Sequence, residues 1–243
     1  MTAVLETIGL AKQFGALRVA NDIHFALEPG ARHALIGPNG AGKTTFVNLL
    51  TGRLAPSGGR ILLNGDDVTR VGQADRARRG LARTFQINNL FPALSALENV
   101  RLAVAEHRGL TTARRALVEE AYAVLGKLGL AGDAATVVRA LPYGKQRLVE
   151  IAIALASEPT VLLLDEPAAG VPGGESGIIL DVIGQLPATM AVLMIEHDMD
   201  LVFRFARRIT VMVRGSILVE GTPDDIAADP RVREVYLGSR GRE

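Results

Sequence analysis

The chain has 243 residues, a length that can bury a sizeable core in one large domain or two small ones. Its 27 lysine and arginine residues nearly balance 26 aspartate and glutamate residues, for a net charge of +1. This balance argues against a chain-wide basic surface for nucleic acid and against an acidic tail. The cysteine count of 0 excludes disulfides and thiolate metal sites, which fits a reducing compartment.

We expect neither an export signal nor a membrane-spanning segment. The first residues alternate apolar and polar side chains and carry Glu6 where a signal peptide would have a basic residue. No window of about eighteen residues is apolar enough to cross a bilayer. If the chain acts at a membrane, we therefore expect a partner protein to hold it there.

Short alternating segments predict a small antiparallel β-region around the start of the chain. Residues 3–14 and 24–28 alternate apolar and polar side chains, which is the pattern of half-buried strands. The apolar residues 61–63 precede Asn64 and Gly65, a pair that tolerates the positive φ angles of a type I′ turn. A hairpin is predicted there.

The segment after the apolar run 34–36 has the pattern G-x-x-x-x-G-K-[ST] of a phosphate-binding loop. Residues 44–50 are typical of a helix, so the loop is predicted to join a strand to a helix. Its backbone N–H groups and the helix N-terminus favour an anion. Lys43 would reach the β- and γ-phosphates of a nucleotide, and Thr44 would place its hydroxyl on Mg²⁺. The predicted phosphate-binding residues are Gly37, Pro38, Asn39, Gly40, Ala41, Gly42, Lys43, Thr44 and Thr45.

The segment 70–83 is rich in arginine. Such a cluster is typical of a solvated helix face, and binding to an acidic partner is the alternative. The arginines concerned are Arg70, Arg76, Arg78, Arg79 and Arg83.

Residues 90–156 are predicted to form an inserted helical region. Ser95 and Glu98 make a capping box that opens a helix near 96–105. Residues 112–130 have helical spacing, with apolar side chains on one side. These side chains are Leu117, Ala121, Val124, Leu125 and Leu128.

Three later apolar runs predict a parallel sheet. Residues 161–164, 192–195 and 209–213 are continuous apolar runs of the kind that buried parallel strands show. Helix-like stretches separate them, and this βαβ spacing predicts a sheet covered on both faces. Thr222, which precedes a proline, predicts the N-cap of a short helix, and residues 231–237 predict one more.

Asp165 and Glu166 follow directly on the first of these apolar runs. Both carboxylates are therefore predicted at the C-terminal edge of the sheet, where open α/β sheets bind ligands. There an aspartate can hold Mg²⁺, directly or through water, and a glutamate can polarise a water for attack on a γ-phosphate. By itself a strand that ends in Asp-Glu-Pro is most often only a turn. The phosphate-binding loop is what favours the catalytic interpretation.

The segment 141–147, which continues into a predicted helix over 148–156, resembles the signature loop and helix of ATP-binding-cassette (ABC) ATPases. The resemblance extends over essentially the whole chain. It implies that Phe14 stacks on adenine and that Gln86 lies in the glutamine loop, where it would serve the metal and the catalytic site. It further implies that His197, in the switch strand, shares the charge of the γ-phosphate.

This resemblance implies an α/β fold of the P-loop NTPase type. A RecA-like parallel-sheet core would carry an N-terminal antiparallel β-subdomain and an inserted helical subdomain, all within a single nucleotide-binding domain. The expected boundaries are 1–30 and 55–70 for the β-subdomain, 90–156 for the helical subdomain, 31–54, 71–89 and 157–221 for the core, and 222–243 for a C-terminal helical tail.

Further segments are similar to the ATPase subunits of high-affinity branched-chain amino acid importers. Importers for urea and short amides share much of this pattern, and ATPase subunits of lipopolysaccharide-type exporters are similar in size and motif order. The resemblance implies an ATPase that powers transport of a small solute, and it leaves the solute and the direction open. The segments concerned are 80–86, 90–92, 97–100, 195–199, 220–223 and 235–238.

The resemblance also implies a working unit larger than one chain. Tyr143, Gly144 and Lys145 would contact ATP held by a second ABC ATPase subunit, identical or related, and ATP would clamp the pair shut. Residues 87–105 would pass this closure to integral membrane permease subunits, which act with a solute-binding protein. The chain would then be a peripheral subunit at the cytoplasmic face of the inner membrane, with ATP and Mg²⁺ as its cofactors and no nucleic acid partner.

Three residues depart from the usual pattern of these ATPases. Pro142 stands where serine is usual, so both the hydroxyl and the backbone N–H are missing. Lys145 replaces a glutamine with a charge that opposes the helix dipole but attracts phosphate. Pro172 stands where aspartate is usual. We expect weaker ATP-driven closure from the first departure and looser communication between two ATP sites from the last.

Two other classes of function are compatible with a phosphate-binding loop. Soluble ABC ATPases that act on ribosomes or DNA usually carry two cassettes or a long coiled-coil insertion, together with a basic surface. We see none of these three features in the sequence. A P-loop kinase would need neither the signature helix nor His197. Stable association with integral membrane proteins would separate a transporter from both.

Overall fold

A computed structural model gives the structure of residues 2–84, 90–109 and 111–237. The strands are β1 (Leu5–Phe14), β2 (Leu17–Leu27), β3 (Arg32–Ile36), β4 (Gly58–Leu63), β5 (Asp66–Asp67), β6 (Leu81–Arg83), β7 (Val161–Asp165), β8 (Ala191–Ile195), β9 (Arg208–Val213) and β10 (Ser216–Gly221). The α-helices are α1 (Lys43–Leu50), α2 (Gln73–Arg78), α3 (Ala96–Arg108), α4 (Arg114–Lys127), α5 (Tyr143–Leu155), α6 (Gly173–Gly184), α7 (Met199–Phe205), α8 (Pro223–Ala228) and α9 (Pro230–Leu237). Among these described helices, none has the length and hydropathy that crossing a bilayer requires.

The first sheet is antiparallel, with the strand order β2-β1-β4-β5. Leu5 of β1 pairs with Leu27 of β2 on one side and with Leu63 of β4 on the other. Asn64 and Gly65 join β4 to β5 with φ angles of 52° and 88°. These values are the left-handed conformations that a type I′ turn needs. The predicted antiparallel strands and the predicted hairpin are confirmed.

The second sheet has the strand order β10-β9-β3-β8-β7-β6. Its members β9, β3, β8, β7 and β6 are parallel neighbours, as the βαβ spacing predicts. Every residue of β3, β7 and β8 is buried. The strand β10 was not predicted; it closes one edge of the sheet by pairing antiparallel with β9.

Apolar side chains cover both faces of the parallel sheet. Along β7, Leu162 and Leu164 join the cluster that also contains the apolar sides of α3, α4 and α5. Val161 and Leu163 point to the other face and pack with α1 and the antiparallel sheet. This alternation follows from the two-residue period of a strand. The prediction of a sheet covered on both faces is confirmed.

The predicted helices of the inserted region are present. The carboxylate of Glu98 accepts hydrogen bonds from the backbone N–H and the hydroxyl of Ser95, each at 2.8 Å, so the capping box is confirmed. The helix that it opens continues to Arg108. The predicted apolar side of α4 is buried through Leu117, Ala121, Val124 and Leu125, with Leu128 beyond the helix end.

The arginine cluster over 70–83 only partly fits a solvated face. The prediction is wrong for Arg76, which is 1% exposed and donates to the carbonyl oxygens of Leu49 and Leu50 at 2.7 and 2.6 Å. These carbonyls belong to the last turn of α1, where helix geometry leaves acceptors without partners. The prediction is also wrong for Arg83, whose side chain is 7% exposed. The exposed members of the cluster are Arg70, Arg78 and Arg79.

At the C-terminal end of the described chain, Thr222 caps α8 as predicted. Its hydroxyl accepts from the N–H of Asp225 at 3.3 Å, and the Asp225 carboxylate accepts from the N–H of Thr222 at 2.9 Å. The helix predicted over 231–237 is α9. Both short helices follow β10; α8 packs against β9 and β10, and α9 contacts α8.

Candidate functional site

The phosphate-binding loop over 37–45 joins β3 to α1, so the predicted context of strand, loop and helix is confirmed. Gly42 has a φ of 102°, and a Cβ at this position would lie 2.9 Å from the carbonyl oxygen of Val19. A Cβ on Gly37 would lie 2.2 Å from the carbonyl oxygen of Met212. Only glycine fits these backbone approaches. No side chain caps the N-terminus of α1, so its first N–H groups are free to bind an anion.

Lys43 is folded back onto this loop. Its ammonium donates to the carbonyl oxygens of Gly37 and, at 3.1 Å, of Pro38. Burial lowers the pKa of Lys43, and the nearby carboxylates of Glu166 and Asp165 oppose that shift. The cation is therefore held between the loop and the two acidic residues.

One open cavity of about 490 Å³ brings the loop and these carboxylates together. Its walls come from the loop, the end of β7, the start of β2 and the turn between β9 and β10. The residues that line it are Leu17, Arg18, Val19, Asn39, Gly40, Ala41, Gly42, Lys43, Thr44, Thr45, Asp165, Glu166, Ile195, Arg214 and Gly215. The β2 and turn residues were not predicted from the sequence, because nothing in their local pattern distinguishes them from ordinary strand and turn.

A larger cavity, of about 660 Å³, lies at the opposite edge of the parallel sheet. One of the arginines that line it is Arg32, at the start of β3. That guanidinium donates to the carbonyl oxygens of Met190 and Leu186 at 2.7 and 2.8 Å. Its donors are thus used within the fold, and the carboxylates of β7 are at the other end of the strands.

Phe14 lies at the end of β1, beside the cavity and not among its lining residues. Its side chain is 50% exposed, and the Lys12 ammonium is 4.9 Å from the ring centroid. Leu17 of β2, which pairs with Phe14 of β1, lines the cavity. An aromatic ring at this place is accessible for stacking, with one cation already against it.

Asp165 and Glu166 lie at the C-terminal edge of the sheet, as predicted. Asp165 ends β7 with its side chain 8% exposed, and its Oδ2 is 2.7 Å from Nη2 of Arg83. Glu166 has a φ of 47° and donates its N–H to the carbonyl oxygen of Ile195 at 2.9 Å. Its Oε1 is 3.7 Å from Nδ1 of His197, whose side chain is 68% exposed. The structure thus brings His197 next to Glu166, which lines the cavity, although His197 is not among the lining residues.

A buried carboxylate, Glu196, links the end of β8 to the loop after β7. Its oxygens accept from the backbone N–H groups of His197 at 3.1 Å and Ala168 at 3.4 Å. Burial raises the pKa of Glu196, and these hydrogen bonds oppose the shift. Its position orders the segment that carries Glu166 and His197, a role that the sequence did not single out.

The signature segment lies apart from the phosphate-binding loop of the same chain. Pro142 is the N-cap of α5, and no side chain caps this helix. The ring of Tyr143 lies against Gly170, in the loop after Glu166. A Cβ added to Gly170 would be only 3.3 Å from Cε1 of this ring. Lys145 is paired with Asp133 at 2.8 Å, so part of the charge expected to attract phosphate is neutralised within the chain. Gly144 is buried in the first turn of α5.

Gln86, the remaining predicted site residue, lies outside the described residues. The part of the segment 87–105 that is described begins at Leu90. It includes Phe91, whose side chain is 58% exposed ahead of α3.

Residues 20–169 match the family model described as ABC transporter. The chain belongs to the ABC transporter family. Residues 216–241 also match the model described as branched-chain amino acid ATP-binding cassette transporter, which covers β10 and the C-terminal helices.

This ABC protein is similar to curated branched-chain amino acid transport ATP-binding proteins. It is 38% identical to the high-affinity branched-chain amino acid transport ATP-binding protein BraF of Pseudomonas aeruginosa, over 97% of this chain and 98% of that protein. It is 39% identical to the protein of the same description, LivG, of Escherichia coli K12, with the same coverage. A probable LivG of Archaeoglobus fulgidus is 33% identical over 99% of this chain and 97% of its own length.

Solved structures of ABC cassettes share the fold. The ADP conformation of MJ1267, an ATP-binding cassette of an ABC transporter, superposes with a TM-score of 0.87 at 29% identity, covering 98% of this chain and 100% of that one. A nucleotide-free ATP-binding cassette from an ABC transporter gives a TM-score of 0.85 at 29% identity, covering 97% of this chain and 99% of that one. The expected P-loop NTPase fold, with its parallel-sheet core and antiparallel β-subdomain, is confirmed.

Proposed function

We propose that the chain is the ATP-hydrolysing subunit of an importer for branched-chain amino acids. The observation that carries this proposal is the cavity in which Lys43, Asp165 and Glu166 meet at the C-terminal edge of the sheet. The match of the C-terminal segment and the names of the relatives support the cargo class. The residue roles that follow are part of the proposal.

The loop over 37–45 would bind the phosphates of ATP. Its backbone N–H groups and the α1 N-terminus would face the anion, and Lys43 would exchange its contacts with loop carbonyls for the β- and γ-phosphates. Phe14 would contribute an aromatic face to the adenine. Catalysis at such a site is chiefly positioning and stabilisation of the charge on the transferring phosphoryl group.

Glu166 and His197 would serve the chemical step. Glu166 would orient and polarise the attacking water, which requires a carboxylate that reaches the open side of the cavity, and its side chain is 27% exposed there. His197, 3.7 Å away, would donate to the γ-phosphate and share its charge with Lys43. The buried Glu196 would keep both residues in place through the backbone that carries them.

The residues at the cavity fit a magnesium ion. Thr44 offers a hydroxyl at the start of α1 and Asp165 a carboxylate at the end of β7, with Gln86 as the third expected ligand. Within the described residues no cluster of three acidic, histidine or cysteine side chains forms a cage. Magnesium is typically held through one or two carboxylates together with substrate phosphates and water, and a donor set with the single carboxylate of Asp165 agrees with this. When bound, the ion would neutralise charge on the β- and γ-phosphates.

The separate position of the signature segment supports a dimer as the working unit. Tyr143, Gly144 and Lys145 are outside the lining of the cavity that holds the loop of their own chain. In a pair of cassettes they would face ATP on the second subunit, identical or related. Permease subunits would bind near residues 87–105, at the cytoplasmic face of the inner membrane, and would act with a solute-binding protein. No nucleic acid partner is proposed.

Uptake of radiolabelled leucine tests this proposal. Cells that lack this chain and have no redundant leucine system are complemented with the native sequence, with Glu166→Gln or with the exposed control Glu28→Gln. We expect the native chain and the control to restore uptake and Glu166→Gln to fail. Equal uptake in all strains would overturn the cargo, and the same assay with urea and short amides then tests the related solutes.

A further inference from the structure

Arg83 forms a buried bridge between three elements next to the candidate magnesium site. Its Nη2 donates to Oδ2 of Asp165 at 2.7 Å, and its Nη1 donates to Oδ1 of Asn48 at 2.7 Å. The side chains of Arg83 and Asp165 are 7% and 8% exposed. One guanidinium thus joins the end of β6 to the end of β7 and to α1.

The two partners of Arg83 belong to the elements that carry the candidate magnesium ligands. Asp165 is itself one ligand candidate. Asn48 lies four residues after Thr44 on α1, and residues at this spacing share one face of a helix. By holding Asn48 and Asp165 together, Arg83 fixes the separation between the helix of Thr44 and the carboxylate of Asp165.

Burial favours positioning over stability as the role of this ion pair. Bringing both charges out of water costs free energy that their attraction largely only offsets, so a buried pair adds little net stability compared with apolar side chains. What it supplies is a fixed geometry, because a guanidinium offers a planar fork of donors that a lysine cannot reproduce. The contact engages Oδ2 of Asp165, and Oδ1 is the oxygen that would then serve the metal.

The backbone around Arg83 makes the bridge rigid. The strand β6 pairs in parallel with β7, where Arg83 is in register with Leu163. The next residue, Thr84, donates its N–H to the carbonyl oxygen of Leu163 at 3.0 Å, and its hydroxyl accepts from the N–H of Asp165 at 3.4 Å. The guanidinium is therefore anchored at both its backbone and its head group.

We propose that Arg83 is a positioning residue for the magnesium site, which holds Asp165 and the Thr44 helix in the geometry that binds a nucleotide with its metal. The inference rests on the proposed magnesium ligands Thr44 and Asp165. Partners that orient metal ligands typically contribute 10–100-fold to metal affinity. Loss of the fork with the charge retained should therefore raise the Mg²⁺ concentration that nucleotide binding requires and leave metal-free binding nearly unchanged.

The test measures binding of a fluorescent ATP analogue to the purified full chain by titration with MgCl₂, and separately in EDTA. The variants are Arg83→Lys, which keeps the charge, and Asn48→Ala, which removes only the α1 contact; Arg79→Lys is the matched exposed control. For Arg83→Lys we expect the half-saturating Mg²⁺ concentration to rise about tenfold, with EDTA affinity unchanged within about twofold. Asn48→Ala should shift it in the same direction, and the double variant by less than the combined effects.

Three results would overturn the inference. In the first, Asp165→Asn raises the half-saturating Mg²⁺ concentration, but Arg83→Lys and Asn48→Ala leave it unchanged. The proposed metal site then stands, and only the role of Arg83 fails. The second is an equal loss of affinity with and without Mg²⁺ in both variants, which indicates general damage to the fold. The third is native binding that does not respond to Mg²⁺ at all, which overturns the proposed metal site together with this inference.

Discussion

Nδ1 of His197 lies 3.7 Å from Oε1 of Glu166, although 31 positions separate the two residues in the chain and they follow different strands. This distance is too long for a hydrogen bond, so the two side chains lie side by side without one joining them. Glu166 lines the cavity that contains Lys43, and His197 lies beside it with its side chain 68% exposed. In the proposed mechanism the two side chains act on one reacting group.

Removal of the imidazole should affect the reaction more than binding. We expect His197→Ala to lower kcat for ATP hydrolysis about 10²-fold, the cost typical of losing one donor to a developing charge, with little change in ATP affinity. Steady-state hydrolysis and equilibrium ATP binding are measured side by side, with the exposed His24→Ala as control. An unchanged kcat would contradict the role given to His197.

Two glycine-to-alanine substitutions, one in the phosphate-binding loop and one in α4, should have opposite effects. Gly42→Ala places a Cβ 2.9 Å from the Val19 carbonyl oxygen at a φ of 102°, so it should abolish ATP binding and lower the melting temperature. Gly126→Ala, in α4 with nothing within 4 Å of its Cβ, should stabilise the fold by about 0.5–1 kcal/mol and leave ATP binding intact. Thermal unfolding and ATP titration of both variants check this. Normal ATP affinity in Gly42→Ala would show that the loop tolerates a side chain.

A buried histidine should make the fold sensitive to acid. His33 is 1% exposed, and its Nε2 is 2.8 Å from the hydroxyl oxygen of Thr210. That hydroxyl donates to Glu220 at 2.7 Å, so its oxygen accepts from Nε2–H of a neutral His33. Burial lowers the pKa of His33 to about 4; the Glu220 carboxylate opposes this shift, and the charge of Arg208 adds to it.

The sign of this pH dependence follows from proton uptake. Between pH 6.5 and about 4 the unfolded chain protonates His33 and the folded chain does not, so the free energy of unfolding falls as the pH falls. The contribution of His33 to this loss is about 3 kcal/mol, since one pKa unit corresponds to about 1.4 kcal/mol. Urea unfolding at pH 7 and pH 4 should show a smaller loss for His33→Gln than for the native chain or for His24→Gln. Equal losses in all three would contradict the neutral His33.

Pro142 gives a test of the altered signature segment. The N-terminus of α5 lacks a side-chain cap, and serine is among the residues that best supply one, for about 1 kcal/mol. Pro142→Ser restores both a hydroxyl and an N–H at this helix N-terminus. Because these donors would face ATP on the second subunit, the substitution should tighten ATP affinity severalfold and change the ATPase rate. Pro29→Ser, in an exposed turn, is the control. If Pro142→Ser alters neither quantity, the proposed weakening of closure by proline is wrong.

The parts of the site that local pattern determines were predictable from the sequence. A glycine-rich loop between an apolar run and a helix specifies its own backbone, which is why residues 37–45 fold as expected. Asp165 and Glu166 were located by the end of a continuous apolar strand. The same holds for the capping box of Ser95 and Glu98, since these residues are three positions apart.

The rest depends on neighbours that are distant in sequence. Arg83 is 82 positions from Asp165 and 35 from Asn48, so its membership of an arginine-rich segment gave no indication of its burial. Lys145 pairs with Asp133 only because the turn before α5 brings them together. The strand β10 escaped prediction because it is an edge strand, with every residue only half-buried.

The hydrolysis rate of the purified chain with Mg²⁺ and ATP tests the central claim most directly. We compare the native sequence with Glu166→Gln, which keeps the shape of the side chain and removes its charge, and with the exposed control Glu28→Gln. We expect Glu166→Gln to lower kcat at least about 10²-fold while ATP still binds, and Glu28→Gln to match the native rate. Hydrolysis by Glu166→Gln at the native rate would contradict a catalytic site built on this loop and this carboxylate.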